Sequence, residues 1–151
     1  MAFDPACAGR SYPPGPVYEV GREKIREFAD AIGAADPAYH DPAAARALGH
    51  PDVIAPPTFA IVVTFAASRA AIEDPAVGLD YSRVVHGEQR FVAARPIHAG
   101  DRLVGVTTIE RARRVGGNDM LTTRCDVSTV AGEHVVAAYS TLVARAPAAA
   151  S

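Results

Sequence analysis

Six consecutive residues, Asp36-Pro37-Ala38-Tyr39-His40-Asp41, put one imidazole among two carboxylates and a phenol. A histidine beside an acid can take and return a proton near neutral pH, which is what general acid–base chemistry requires. The run lies between two segments patterned as helices. It therefore reads as a loop held by rigid elements, where binding and catalytic groups concentrate. His40 and Asp36 are the candidate proton-transfer groups, with Asp41 a second possible partner for His40. Tyr39 is a candidate wall of a binding site. Plainer roles stand beside these: a histidine closing a turn, an aspartate starting one ahead of Pro37, an aromatic packed beneath the loop.

The elements that must hold this loop can be read from periodicity. In Gly21 to Ile32, the residues Ile25, Phe28, Ala29 and Ile32 fall at i, i+3, i+4 and i+7, one apolar stripe, and Gly33 is a natural stop. Pro42 to Leu48 reads as a short helix ended by Gly49. A longer helix then starts near Pro57 and runs to about Ile72. Phe59, Ile61, Val62, Val63, Phe65 and Ala66 make it apolar nearly all round, a pattern that predicts burial on all sides. Val17 to Val20 predicts a short strand. Arg83 to Val92, Arg102 to Val115, Met120 to Val130 and His134 to Ala144 are rich in Val and Thr and predict four more. Gly116-Gly117-Asn118 and Ala131-Gly132-Glu133 are short enough for hairpin turns. Helices followed by an antiparallel meander give an α+β order. A sheet wrapped round one long apolar helix is the hotdog architecture. Residues 1–16 are expected to be irregular, 17–146 to form one hotdog domain, and 147–151 to be a flexible tail.

Composition narrows the function classes. The chain has 151 residues, 49% apolar and 21% charged, which fits one soluble globular domain. A net charge of −2 gives no electrostatic reason to expect nucleic acid. No apolar run reaches the roughly 18 residues of a membrane helix, and the start of the chain has no signal-peptide pattern. Cys7 and Cys125 imply no disulfide framework, so a cytoplasmic protein with reduced thiols is expected. The five histidines show no HxH or HxxxH pairing, so no metal site is expected.

Six blocks in order resemble the MaoC-like dehydratase N-terminal family: VGREKIREFA (Val20 to Ala29), DPAYHD (Asp36 to Asp41), IAPPTF (Ile54 to Phe59), HGEQRF (His86 to Phe91), RPIHAGDRL (Arg95 to Leu103) and AYSTLVAR (Ala138 to Arg145). The likeness is greatest to accessory subunits of actinobacterial (3R)-hydroxyacyl-ACP dehydratases. It implies a hotdog fold, an acyl-CoA or acyl-ACP thioester as ligand, a place in fatty acid metabolism, a dimer habit and no cofactor. In catalytic members an Asp-x-Asn-Pro-x-His motif supplies the proton-transfer pair. With Pro37 as anchor, the Asn slot is Asp36, the Asp slot is Ala34 and the His slot is Tyr39, with His40 one residue further on. The reaction also needs N–H donors for the thioester oxygen, which a helix start can provide. Pro56 and Pro57 have no N–H, so Thr58, Phe59 and Ala60 are the candidate substrate-binding donors.

The function expected from this reading is a subunit of an (R)-specific 3-hydroxyacyl-thioester dehydratase or enoyl hydratase. The chain would bind the acyl group in a dimer with a MaoC-like catalytic chain. The alternatives are a self-sufficient homodimeric enoyl hydratase using His40 and Asp36, and a non-enzymatic acyl-thioester binding module. Among other residues, His50 and His98 are expected to face solvent. His86 and Gln89 are expected to serve structure on a strand. Arg69 is expected to cap its helix or to meet a phosphate. Arg111, Arg113 and Arg114 are expected to form a solvated hairpin end or a patch for an acidic carrier protein.

Overall fold

The structure, a computed structural model, describes residues 2–146, so the expected tail at 147–151 lies outside the described residues. Strand β1 (Tyr18–Glu19) leads into helix α1 (Arg22–Ala31) and then the short α2 (Pro42–Ala47). The central helical segment follows as α3 (Ile61–Ala67) and α4 (Arg69–Ile72). Four long strands complete the chain: β2 (Val84–Ala93), β3 (Arg102–Val115), β4 (Asn118–Thr129) and β5 (His134–Ala144). They form one curled antiparallel sheet in the order β1-β3-β4-β5-β2, an α+β hotdog domain. The expected meander holds for β3, β4 and β5. It fails for β2, which crosses to the far side and pairs with β5. The edge of β3 that β2 would have used is taken by β1 and by the start of the chain.

Residues 2–16 hold a 3₁₀ turn at Pro5–Cys7 and a single bridge from Ser11 to Thr108, and they are tied down. The N–H groups of Gly9, Tyr12 and Gly15 donate to the carbonyls of Ile109, Thr107 and Gly105 at 2.7, 2.9 and 2.9 Å. Phe3 and Cys7 complete a second apolar cluster with Val77, Ile109 and Leu121. One edge of the sheet is thus closed by the chain itself. Among the described residues nothing pairs with the other edge, β2, and nearly all of its residues are exposed.

The central helix departs from its expected form in two ways. It opens as a 3₁₀ turn over Pro57–Ala60, because Pro56 and Pro57 bring no N–H to the first turn, and it breaks at Ser68. There the Ser68 hydroxyl turns to Thr107 at 3.2 Å. Nor is it buried on all sides. Val63, Thr64 and Ala67 face the sheet, but Phe65 is 62% exposed and Ala66 is also bare. The sheet curls over β3 and β4 and leaves the β2 side of the helix uncovered.

Close approach of helix and sheet depends on small residues. A Cβ at Gly105 of β3 would stand 2.8 Å from the Ala67 Cβ and 2.9 Å from the Cys125 Sγ, closer than real Cβ atoms come. Phe59 at the helix start is fully buried, with Phe28 and Tyr18 set edge-on at 5.4 and 6.4 Å between ring centroids. Two consecutive glycines in the left-handed region, Gly116 and Gly117 (φ 56° and 80°), make the two-residue β3–β4 turn. Gly105→Ala should therefore destabilise the fold by about 1–3 kcal/mol through overpacking. Urea denaturation measures this, and an unchanged midpoint would contradict the helix–sheet contact described here.

Candidate functional site

The loop between α1 and α2 is built on carboxylate caps. The Asp36 carboxylate accepts from the Ala38 N–H at 2.9 Å and starts the 3₁₀ turn Pro37–Tyr39. Asp41 accepts from the Ala43 N–H at 2.9 Å and caps α2. The His40 ring lies elsewhere. Its Nε2 is 3.0 Å from the Ala34 carbonyl, and its Nδ1 is 3.9 Å from the carboxylate of Asp30 on α1. The expected pairing of His40 with Asp36 or Asp41 is therefore not formed. Each acid is drawn to the free N–H two residues on, while the turn swings the ring back towards α1. Arg26 of α1 fixes the loop further, donating to the His40 carbonyl at 2.9 Å and pairing with Glu23. Tyr39 is half-buried against the main core cluster. Ala38 is buried, and its carbonyl accepts from the Ile54 N–H at 3.1 Å, which joins the loop to the segment leading into α3.

The three candidate donors lie in the 3₁₀ turn ahead of α3. The Phe59 N–H is already given to the Pro56 carbonyl at 2.9 Å. The side chains of Phe59 and Ala60 are core, and Thr58 is exposed. The turn thus uses one expected donor for its own closure.

A feature that periodicity did not point to lies along the uncovered side of α3. A narrow slot of only about 30 Å³ lies between the helix and the inner face of β4, β5 and β2, walled by Ile61, Phe65, Ile72 and Leu142 and by the polar His86 and Gln89. Phe65, Ile72 and Tyr81 also line a cleft of about 1260 Å³ at the end of α4. Arg69, Arg83, Arg114 and Arg145 stand on its rim. Three of these are held in ion pairs, Arg69–Glu73, Arg83–Asp80 and Arg114–Asp119, each at 2.7 Å. The signal available in the sequence was the excess of apolar residues in the helix, more than one sheet could cover.

A family model described as FAS1-like, dehydratase domain region, matches residues 6–138. A UPF0336 protein of Streptomyces coelicolor is 62% identical over 146 residues, 97% of each chain. The chain belongs to the MaoC-like hotdog family. A solved MaoC-like dehydratase is 37% identical with a TM-score of 0.86. The match covers 93% of this chain and 43% of that protein, so this chain spans under half of its length. The C-terminally truncated HadBC (3R-hydroxyacyl-ACP dehydratase) complex of Mycobacterium tuberculosis is 32% identical with a TM-score of 0.81, covering 95% of this chain and 99% of that one.

In this MaoC-like chain the RPIHAGDRL block locks the β2–β3 crossover. Arg95, just after β2, grips Asp101, just before β3, through two bonds of 2.9 Å, and holds Glu133 of the β4–β5 turn at 2.7 Å. Burial opposes ionisation of Asp101, but the hydrogen bonds from Arg95 and the His98 N–H outweigh it and keep its carboxyl below the usual range. His98 does not face solvent as expected; its ring lies 3.4 Å from Asp101 and 2.9 Å from the Ala99 carbonyl. His50 is half-buried just beyond α2.

Asp52 plays a similar part beneath the loop. It takes two bonds from Arg22 of α1, at 2.9 and 2.8 Å, and one of 3.3 Å from Arg46 of α2. The Arg22 bond is the main reason its pKa falls to about 2. A carboxylate depressed below its unfolded value, about 3.9, adds stability above that pH and loses it as pH falls through the folded value. Asp52→Asn should therefore cost roughly 1 kcal/mol at pH 6, with solvent screening of its exposed partners keeping the figure small. The difference from the parent should vanish as pH falls from about 4 to 2. A difference that stays constant over that range, in acid denaturation of both proteins, would contradict the clamp.

Proposed function

We propose that this chain is the acyl-holding subunit of an (R)-specific 3-hydroxyacyl-thioester dehydratase, and that a second MaoC-like chain brings the intact Asp/His pair. The observation that carries this reading is Ala34. It stands where catalytic relatives place the Asp and offers only a carbonyl, to which the His40 ring is held. Dehydration removes a proton from C2, expels the C3 hydroxyl as water and leaves the 2-enoyl thioester. It needs one group to take the first proton and one to protonate the departing oxygen. Neither carboxylate of the DPAYHD run is free for such work, since Asp36 and Asp41 serve as caps.

What the chain does offer is surface. The uncovered flank of α3 and the cleft of about 1260 Å³ at the end of α4 suit the alkyl part of an acyl thioester, and the open β2 edge suits a partner hotdog sheet. HadBC, by its name, is a complex of such chains, which supports association of this one with a MaoC-like catalytic subunit. Both cysteines are free and buried, which accords with a cytoplasmic site of action. Among the described residues no helix is long and apolar enough to cross a membrane. The rival homodimeric hydratase would use His40 with Asp36; the carboxylate beside the His40 ring is instead Asp30 of α1, at 3.9 Å.

Crotonyl-CoA hydration, followed for the chain alone and mixed with a MaoC-like chain carrying the full motif, decides among these. Alone, the rate should be at background. In the mixture, activity should appear, and His40→Ala in this chain should lower it by less than tenfold. Loss of a positioned proton-transfer group costs about 10²–10⁴-fold. Strong activity from the chain alone, abolished by His40→Ala, would replace this reading with the homodimeric hydratase. Acyl binding without activity in any mixture would leave a binding module.

A further inference from the structure

One wall of the cleft at the end of α4 is built by the start of the chain. Phe65, Ile72 and Tyr81, which the cleft shares with the slot, mark its side beside the central helix. Phe3 and Leu79 line it away from the slot. Phe3 is only 5% exposed and packs with Cys7, Val77, Ile109 and Leu121. Leu79, in the loop between α4 and β2, leans on the same cluster. These two side chains therefore stand between the cleft and the second apolar core. Without the Phe3 ring the cleft would run on into that core.

Two surface segments meet to make this wall, and both are fixed. A Cβ at Gly78 (φ 68°) would stand 2.3 Å from the Ala2 carbonyl oxygen, so only glycine lets the loop backbone lie against the start of the chain. The Asp4 N–H donates to the Val77 carbonyl at 3.0 Å. Asp74 of the loop accepts from the Tyr12 hydroxyl at 2.7 Å, from Arg10 at 2.8 Å and from the Ala76 N–H at 2.8 Å. Burial first, and the Asp74 carboxylate second, push the Tyr12 pKa up to about 12, so the phenol keeps the proton it donates. The backbone of the same two residues is bonded to β3: the Tyr12 N–H donates to the Thr107 carbonyl, and the Arg10 carbonyl accepts from the Ile109 N–H at 2.8 Å. Loop, N-terminal segment and sheet thus form one unit. Such a wall does not yield to a ligand without breaking these bonds.

We propose that Phe3 is a specificity-determining residue, setting with Leu79 how long an apolar chain the cleft accepts. This rests on the reading that the cleft takes the alkyl part of an acyl thioester. Each methylene that finds room should tighten binding by up to ~fourfold. The first carbon beyond the wall must push an aromatic ring into a packed cluster, and overpacking opposes it. Affinity should therefore rise with chain length and then break.

Titration calorimetry of the full chain with straight-chain acyl-CoA esters, hexanoyl to octadecanoyl, locates that break. Phe3→Ala should move it to longer esters by about two carbons or more, since the deleted ring leaves space behind it. At the first ester past the parent's break, the variant should bind about tenfold more tightly than the parent. Leu79→Phe should move the break to shorter esters. If Phe3→Ala does not fold, Phe3→Leu keeps the segment docked and should give a smaller shift of the same sign. A purely structural role would change all esters alike and leave the break in place. Three results overturn the proposal. A break at the same ester in the parent and every folded variant puts the wall elsewhere and leaves the acyl reading intact. Affinity that rises without a break through octadecanoyl-CoA shows that the cleft is not closed at Phe3, and again leaves the acyl reading intact. No binding of any ester removes the acyl reading as well.

Discussion

Among the described residues, no strand lies beside the outer backbone N–H and C=O groups of β2, and Phe65 of the central helix is 62% exposed. Unpaired strand edges and bare aromatic side chains are both costly in water and invite a neighbour. The opposite edge escapes this because residues 9–15 lie along β3 and hydrogen-bond to it. The bulge at Gly87 and the outward Glu88 and Arg90 restrict what can pair with β2, so a matching sheet fits and an arbitrary strand does not. The slot and the open edge lie on this unfinished side, and the cleft reaches from it to Phe3 and the β3–β4 turn.

The other side is finished. Asp52, Asp101 and the two capping aspartates each satisfy donors that would otherwise be stranded at helix starts or crossovers. The loop that looked most chemical is thereby held still by its own carboxylates. A group committed to a cap costs the fold to release, so Asp36 and Asp41 serve the loop's shape before any reaction. The division of labour proposed above follows from this contrast: rigid, self-satisfied polar groups around the loop, and bare apolar surface along α3 beside the open edge of β2.

The strands were legible because Val/Thr-rich runs and glycine turns are local signals; β3 and β5 fall where the pattern put them. The path of β2 was not, because choosing between β3 and β5 as neighbour depends on residues 9–15 filling an edge far away in sequence. The apolar character of α3 was legible, but not its bare face, since periodicity reports hydrophobicity and cannot tell burial by this chain from burial by another. Of the site, Ala34 in the Asp slot could be read directly. The geometry of His40 could not, because a turn of one residue more or less decides which carboxylate it meets. The line of polar residues across the sheet needs strand register, which brings Thr123, Ser140 and Gln89 together from three separate strands.

The central claim is that β2 is completed by another chain. Hydrogen exchange of the β2 backbone amides tests it most directly, measured on this chain alone at low concentration and again with a MaoC-like catalytic chain. The account predicts that the outward amides between Val84 and Ala93 exchange rapidly in the first sample and become protected in the second, together with the segment around Phe65. Rapid exchange in both samples, in a mixture that is catalytically active, would contradict it.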